Sequence, residues 1–347
     1  CFGLFDRAFG PVDPIMGKVR KRPTHVHESR IDMTAYDELT NKATIGESMD
    51  IGVVGGGLSG MFAARLLSDL GHNVTVWDKG SRIGGRLTGW QTDEGSKIHL
   101  GARSLDSVPR WMDRFVDEWV RLGLVRREGG ALIPNTPLPE LLEHLSEGSS
   151  VCLDSRVSGL ELMEGGIRVT TESDGDGEVC RYDRVIVAVP VEQASEIASD
   201  LDIDIDGESI PSIVAWGFCD SIPEKVPDGF RIYDLENSTT MVELSAEMSG
   251  QLIDLDKSSL SKIITDSIGI SDEGWKSHKW RYSRAASGPG SVMAKDGVSF
   301  IGDAFGHDIG SAGAALDSAS RAVSNLHLSI LEPALGRRPV QSSLSDW

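Results

Sequence analysis

The stretch Asp50–Asp78 constrains the fold of this chain more than any other. Asp50-Ile51-Gly52-Val53-Val54 is a short apolar strand of the buried type. Gly55-Gly56-Gly57-Leu58-Ser59-Gly60 follows, and Met61–Leu70 reads as a helix with Phe62, Leu66, Leu67 and Leu70 on one face. Gly71-His72-Asn73 stops it, and Val74-Thr75-Val76-Trp77-Asp78 is a second strand. Strand, glycine turn, helix and strand within about 29 residues make a βαβ unit.

Each glycine of Gly55-x-Gly57-x-x-Gly60 has its own task. Gly55 permits the tight turn, Gly57 leaves room for a pyrophosphate to reach the backbone, and Gly60 lets helix and strand pack closely. The free N–H groups at the helix start, at Leu58 and Ser59, attract that pyrophosphate together with the helix dipole. Asp78 closes the second strand and can accept hydrogen bonds from a ribose diol. The unit therefore points to dinucleotide binding.

Two further motifs bear on which dinucleotide. Lys79-Gly80-Ser81-Arg82-Ile83-Gly84-Gly85-Arg86 brings a second glycine pair, Gly84-Gly85, shortly after the ribose acid. Arg86 offers a planar fork of donors to phosphate or flavin oxygens; alone, the segment also reads as a glycine hairpin with an exposed arginine. Near the C-terminus, Gly302-Asp303-Ala304-Phe305 places an acid just after the apolar strand Val298–Ile301, where Asp303 can bind ribityl hydroxyls. Gly310-Ser311-Ala312-Gly313-Ala314-Ala315 then opens the last helix. Such a start can stabilise negative charge on a flavin edge, and it reads equally as a helix packed tightly through Gly and Ala.

Composition narrows the partners. With 34 Lys+Arg and 53 Asp+Glu the net charge is −19, which disfavours nucleic acid and anionic membrane surfaces. Arg86, Arg103, Arg281 and Arg284 can still make a cleft locally positive. Cys1, Cys152, Cys180 and Cys219 show no metal-knuckle or CxxC spacing, so no metal site is expected. No apolar run approaches the ~20 residues of a membrane span, and a soluble, cytoplasmic protein is expected. Residues 1–48 are neutral overall, lack a sustained period and read as a loose extension, with a basic cluster at Lys18, Arg20, Lys21 and Arg22. Cys1 suits a lipid-modified N-terminus or a fragment, and Met49 is a plausible start for the dinucleotide-binding part of the chain.

Further helices are expected over Pro109–Leu122, Leu138–Leu145, Glu192–Ala198, Lys257–Ile268 and Ser311–Leu331. Strands are expected at Ser150–Leu153, Val157–Leu162, Gly166–Thr171, Arg184–Val189, Ile213–Cys219, Arg231–Tyr233, Thr240–Ser245 and Lys276–Tyr282.

With these residues in place, the chain resembles the FAD-dependent amine oxidase superfamily from about Met49 to Leu331. Trp77-Asp78-Lys79 and His278-Lys279-Trp280-Arg281 make it similar to the renalase-like branch. Leu100-Gly101-Ala102-Arg103 and Arg156-Val157 leading to Val187-Ala188-Val189-Pro190 are further anchors. The resemblance implies an α/β (α+β overall) fold, a Rossmann-type FAD-binding domain with an inserted mixed-sheet substrate domain. The FAD domain would comprise 49–105, 146–192 and 285–335, and the substrate domain 106–145 and 193–284, with 336–347 as a tail.

The resemblance also implies non-covalent FAD held by Gly55, Gly57, Leu58, Ser59, Gly60, Asp78, Lys79, Gly85, Arg86, Val157, Gly302 and Asp303. Gly101, Ala102, Arg103, Gly313 and Ala314 would lie near the flavin ring. Arg103, Trp280, Arg281 and His307 are pocket candidates for catalysis, with no general base nominated, because hydride transfer that leaves an aromatic pyridinium requires none. Renalase-like enzymes oxidise dihydropyridine isomers of NAD(P)H: flavin N5 takes the hydride, and molecular oxygen reoxidises the flavin to give peroxide. Departures from the pattern leave room for other readings. The stretch Val191–Lys276 is shorter than its usual counterpart, and His307-Asp308-Ile309-Gly310 carries an insertion. An amine oxidase or other small-molecule flavin oxidase or dehydrogenase remains an alternative, as does a flavin-binding protein without efficient turnover. A single GxGxxG and no CxxC disfavour a disulfide reductase.

Overall fold

The computed structural model describes residues 48–91, 97–135, 138–172, 179–199, 201–219, 226–235 and 239–334. The extension 1–48 (apart from Ser48), its basic cluster and the tail 336–347 lie outside these residues. The chain begins β1 (Asp50–Val54), α1 (Leu58–Asp69), β2 (Asn73–Trp77), β3 (Gly89–Gln91), β4 (Lys97–His99), α2 (Asp113–Arg121), β5 (Val125–Glu128), β6 (Ala131–Pro134) and α3 (Leu138–Leu145). It continues with β7 (Ser150–Cys152), β8 (Arg156–Met163), β9 (Gly166–Glu172), β10 (Val179–Tyr182), β11 (Arg184–Val187), α4 (Val191–Ser199), β12 (Ser209–Phe218), β13 (Phe230–Asp234) and β14 (Thr239–Leu244). The last elements are α5 (Ala246–Leu252), α6 (Lys257–Ile268), β15 (Lys276–Ala285), β16 (Met293–Lys295), β17 (Val298–Phe300) and α7 (Ala312–Ala334).

The central sheet runs β16-β17-β11-β1-β2-β7. All neighbours are parallel except the β16–β17 hairpin. Strands buried on both faces read as continuous apolar runs, as Val185-Ile186-Val187 does. Period-2 alternation sends Ile51, Val53 and Ile186 into one core and Val54, Val185 and Val187 into the other. On the first face lie α1 and α7; on the second lie α4 and the antiparallel sheet β10-β9-β8. The expected Rossmann-type α/β architecture is present.

A separate antiparallel sheet, β13-β14-β12-β15, packs α5 and α6 on one face through Ile213, Ala215, Val242, Leu260 and Ile264. Its other face, with Val214, Trp216 and Met241, meets the β3–β4 hairpin through Ile98 and Trp90. The segment 106–145, expected to go with the substrate domain, packs otherwise. Met112, Val116 and Trp119 of its α2 region and Leu141, Leu142 and Leu145 of α3 join the core under α1 and α7. The amphipathic faces of α2 and α3 find their apolar partner there, and Phe62 of α1 meets Phe115 and Trp119 edge to face. Among the described residues no helix is long and apolar enough to cross a membrane.

Candidate dinucleotide and substrate site

The glycine turn sits at the C-terminal end of β1, the usual ligand crevice of an open α/β sheet. Gly55 adopts φ +108°, a conformation side chains other than glycine's rarely reach, and its N–H donates to the Trp77 carbonyl at 2.8 Å. A methyl group at Gly60 would run into the Gly55 carbonyl oxygen, so this glycine serves the close approach of α1 to β1. Gly57 differs: a Cβ there would meet open space. It caps α1 in an extended conformation without any side-chain cap, and no acid occupies the first helical turn. The helix start therefore faces the cavity with its own N–H groups.

Asp78 lies at the tip of β2. Its carboxylate accepts from the Gly56 N–H at 2.6 Å and the Gly80 N–H at 2.7 Å, which fixes its orientation and leaves a further lone pair on each oxygen. The second glycine pair is drawn to the first by the Gly84 N–H donating to the Gly56 carbonyl at 3.0 Å. A short 3-10 turn, Gly85–Leu87, then aims Arg86 inward.

Arg86 and Asp303 were each expected to meet the ligand directly; here they meet one another. The guanidinium donates to both carboxylate oxygens at 2.5 and 2.9 Å and to the Ser283 carbonyl at 2.7 Å. Asp303 also accepts from the Ala285 N–H at 2.9 Å. Burial opposes ionisation of Asp303, but Arg86 outweighs it and holds the carboxyl below its ordinary value. Residues 217 positions apart are thus fastened across the crevice, joining the second glycine pair to the segment after β17. The Ala102 N–H donates to the Arg86 carbonyl at 3.0 Å, which brings in Gly101-Ala102-Arg103.

These segments line one cavity of about 1840 Å³. Of the residues named from the sequence, Gly55, Gly57, Leu58, Ser59, Asp78, Lys79, Gly85, Arg86, Gly101, Ala102, Arg103, Val157, Gly302 and Asp303 border it, and Trp280 and Arg281 do so from β15. Four expected residues do not. Gly60 lies behind the turn, in packing. Gly313 abuts the backbone of Ser107, and its N–H donates to the Asp106 carbonyl at 3.0 Å. Ala314 is buried against Gly306. Gly313 and Ala314 therefore serve packing here, whereas Gly310, Ser311, Ala312 and Ala315 of the same motif reach the cavity. His307 is exposed and lies outside the cavity lining. Arg281 is half occupied elsewhere, paired with exposed Asp254 at 2.5 Å.

The cavity continues over the face of the four-stranded sheet. The Trp280 indole N–H donates to the Gly85 carbonyl at 3.2 Å, tying β15 to the second glycine pair. His278 stacks edge to face on Trp280 at 4.3 Å. Burial, with the nearby Lys257 charge, lowers its pKa to about 4, so it is neutral near pH 7. His99, behind this face, is also shifted down, by burial first and then by Arg103, and its Nδ1 is buried without a partner among the described residues. Arg103 lies 3.0 Å over the Tyr233 ring and 3.5 Å from Glu243, whose Oε2 also accepts from the Tyr233 hydroxyl at 2.9 Å.

Trp90, Trp216, Glu243 and Lys276 also border the cavity, and Tyr233 lies beneath Arg103; sequence reasoning singled out none of them. They come from five separate segments and form no local motif. The one available signal was Trp216, on the same face of its expected strand as Val214. Among the described residues no group of three or more His, Cys, Asp or Glu converges as a metal site would.

Residues 53–119 match the NAD(P)-binding Rossmann-like domain, and residues 111–204 match the flavin containing amine oxidoreductase family. Together the two matches span residues 53–204, less than half of the chain. An L-amino-acid oxidase of Siganus canaliculatus is 41% identical over 85 residues, covering 22% of this chain and 16% of that protein. A carotenoid phi-ring synthase of Streptomyces griseus is 34% identical over 98 residues, covering 27% of this chain and 17% of that protein. The chain thus spans about a sixth of the length of these relatives. Among solved structures, a candidate protoporphyrinogen oxidase from Exiguobacterium sp. 255-15 superposes with TM-score 0.57 at 13% identity, covering 82% of this chain and 100% of that one. The anhydrotetracycline hydroxylase OxyS from Streptomyces rimosus gives 0.56 at 15% identity, covering 84% and 64%. At these identities the likeness shows the fold.

Proposed function

We propose that this protein is an FAD-dependent oxidoreductase acting on a small-molecule electron donor. One observation carries the reading: Gly57, open to the cavity at an uncapped helix start, stands beside a preset Asp78 carboxylate. That is a cradle for a pyrophosphate and a ribose at the crevice of a parallel sheet. The cavity also exceeds the ~300–1,000 Å³ of ordinary small-molecule pockets, which suits a dinucleotide with a donor beside it. The matched flavin family supports FAD over a pyridine nucleotide as the resident group.

Bound there, FAD would supply a two-electron acceptor for hydride and a route for those electrons to oxygen. The Leu58 and Ser59 N–H groups and Arg86 would hold the pyrophosphate region, Asp78 the ribose, and Val157 the adenine side. Gly101, Ala102 and Arg103 would border the flavin ring. Non-covalent attachment fits the absence of cysteine from the segment that follows β17. Trp280 and the neutral His278 would exclude water from the donor and position it.

The finer reading is renalase-like: oxidation of dihydropyridine isomers of NAD(P)H with peroxide as the oxygen product. His278-Lys279-Trp280-Arg281 on the cavity wall supports it. Anaerobic mixing of the flavin-loaded protein with borohydride-generated NADH isomers should bleach the visible flavin band, whereas ordinary NADH should not. Bleaching by an amine panel and by no dihydropyridine would replace this reading with an amine oxidase.

A further inference from the structure

The donor side of the cavity carries a charge pattern opposite to that of the chain. Along residues 210–284 its wall holds Arg231, Lys257, Lys276, Lys279, Arg281 and Arg284 against one acid, Glu243, in a protein of net charge −19. Glu243 is already engaged by Arg103 and the Tyr233 hydroxyl. Lys279 is engaged by the carbonyls of Ile253 and Leu255, and Arg281 by Asp254. Among the described residues Lys276 has no carboxylate partner.

The position of Lys276 is set by register. Tyr233, Met241, Trp216 and Lys276 share one row across β13, β14, β12 and β15, ~14 Å from end to end at the usual strand spacing. Tyr233 ends the row beneath Arg103, whose charge Glu243 balances. At the other end the Lys276 ammonium sits 4.5 Å from the centre of the Trp90 ring, which lies 5.6 Å from the Trp216 ring. The ring face holds the ammonium by cation–π attraction and gives it an apolar floor, so less side-chain freedom remains to be lost when an anion arrives.

We propose that Lys276, over Trp90 and Trp216, is an anion-selecting subsite that receives a phosphate or carboxylate group of the electron donor. The inference rests on the functional reading above and deepens it, by naming the residue that discriminates anionic donors from amines. An ammonium group entering this face meets Arg103, Arg231 and Lys276 and one carboxylate, Glu243, that is already paired, since Lys279 and Arg281 turn to the α5 and α6 side.

Calorimetric titration of the purified full chain tests the assignment. Nicotinamide mononucleotide and nicotinamide riboside differ by a phosphate; nicotinate and nicotinamide differ by a carboxylate. At least one anionic member should bind about tenfold or more tighter than its partner, a difference of ~1.4 kcal/mol, and which pair shows it identifies the anion. Lys276→Gln should erase that preference while leaving the affinity of the other member unchanged, and Lys276→Arg should retain it. Equal affinities within both pairs, or a preference that survives Lys276→Gln with the melting temperature unchanged, overturns the proposal. Flavin content is measured on the same samples. A flavin-bearing protein without anion preference defeats this inference alone, whereas protein that neither carries nor takes up flavin defeats the functional reading.

Discussion

Asp303→Asn isolates the fastening across the crevice. The wild-type carboxylate is 5% exposed and accepts two bonds from Arg86 and one from the Ala285 N–H. Asparagine keeps the shape and one acceptor but removes the charge, leaving Arg86 facing a neutral amide. Removing one member of a buried ion pair costs about 3–5 kcal/mol. The Arg86 side chain is 34% exposed, and solvent relieves part of that cost, so about 2 kcal/mol is expected. For a chain of this size that lowers the melting temperature by on the order of 5 °C. The cycle with Arg86→Gln should show coupling of about 1 kcal/mol or more, because each single change already breaks the pair. The carboxyl pKa is lowered in the fold, so its contribution is fully present above the unfolded value and is lost as pH falls through the folded one. The variant should therefore lose less stability than wild type on acidification below about pH 4. Thermal unfolding of the flavin-free protein reads all of this. An unchanged melting temperature, or fully additive effects of the two changes, would refute the reasoning.

Other substitutions separate packing from binding. Gly57→Val should leave the melting temperature of flavin-free protein nearly unchanged while abolishing flavin retention, since the new side chain enters open space where the pyrophosphate would lie; retained flavin would contradict it. Gly60→Ala should do the reverse, costing fold stability through its collision with the Gly55 carbonyl, as denaturant melts would show. The lowered pKa of His278 means that the unfolded chain takes up its proton first as pH falls below about 6.5. Wild type should lose about 2 kcal/mol from this group between pH 7 and pH 5, and His278→Gln should remove that part of the slope in urea unfolding. Trp119→Ala, at a fully buried position under α1, should cost about 3–5 kcal/mol, and a smaller loss would argue against the placement of 106–145 in that core.

What could be read from the sequence was local. The unit β1–α1–β2 is specified by neighbours: an apolar run, a glycine turn, a 3.6-residue period and an acid at a strand tip. Helix α6 coincides with its expected span because Asp256 caps one end, accepting from the Ser259 N–H, and Gly269 closes the other in the left-handed conformation. Helix α1 begins three residues earlier than expected, since its first turn is built from the motif that seemed to precede it. The β3–β4 and β5–β6 hairpins, β10, β16 and α5 escaped notice. Each is short, and tertiary packing rather than propensity holds it. The Trp216 face of the four-stranded sheet escaped for a stronger reason: Lys276, Trp90 and Trp216 become neighbours only through strand register and a packed hairpin. Gly313 and Ala314 show the converse hazard, where small residues at a helix start suggested a ligand and served packing.

The most direct test of the central claim is the spectrum of the purified protein, together with release of its chromophore by denaturant. The account predicts a visible flavin band, with FAD freed intact into the supernatant in about one equivalent per chain. A colourless protein that takes up no FAD on reconstitution would contradict it.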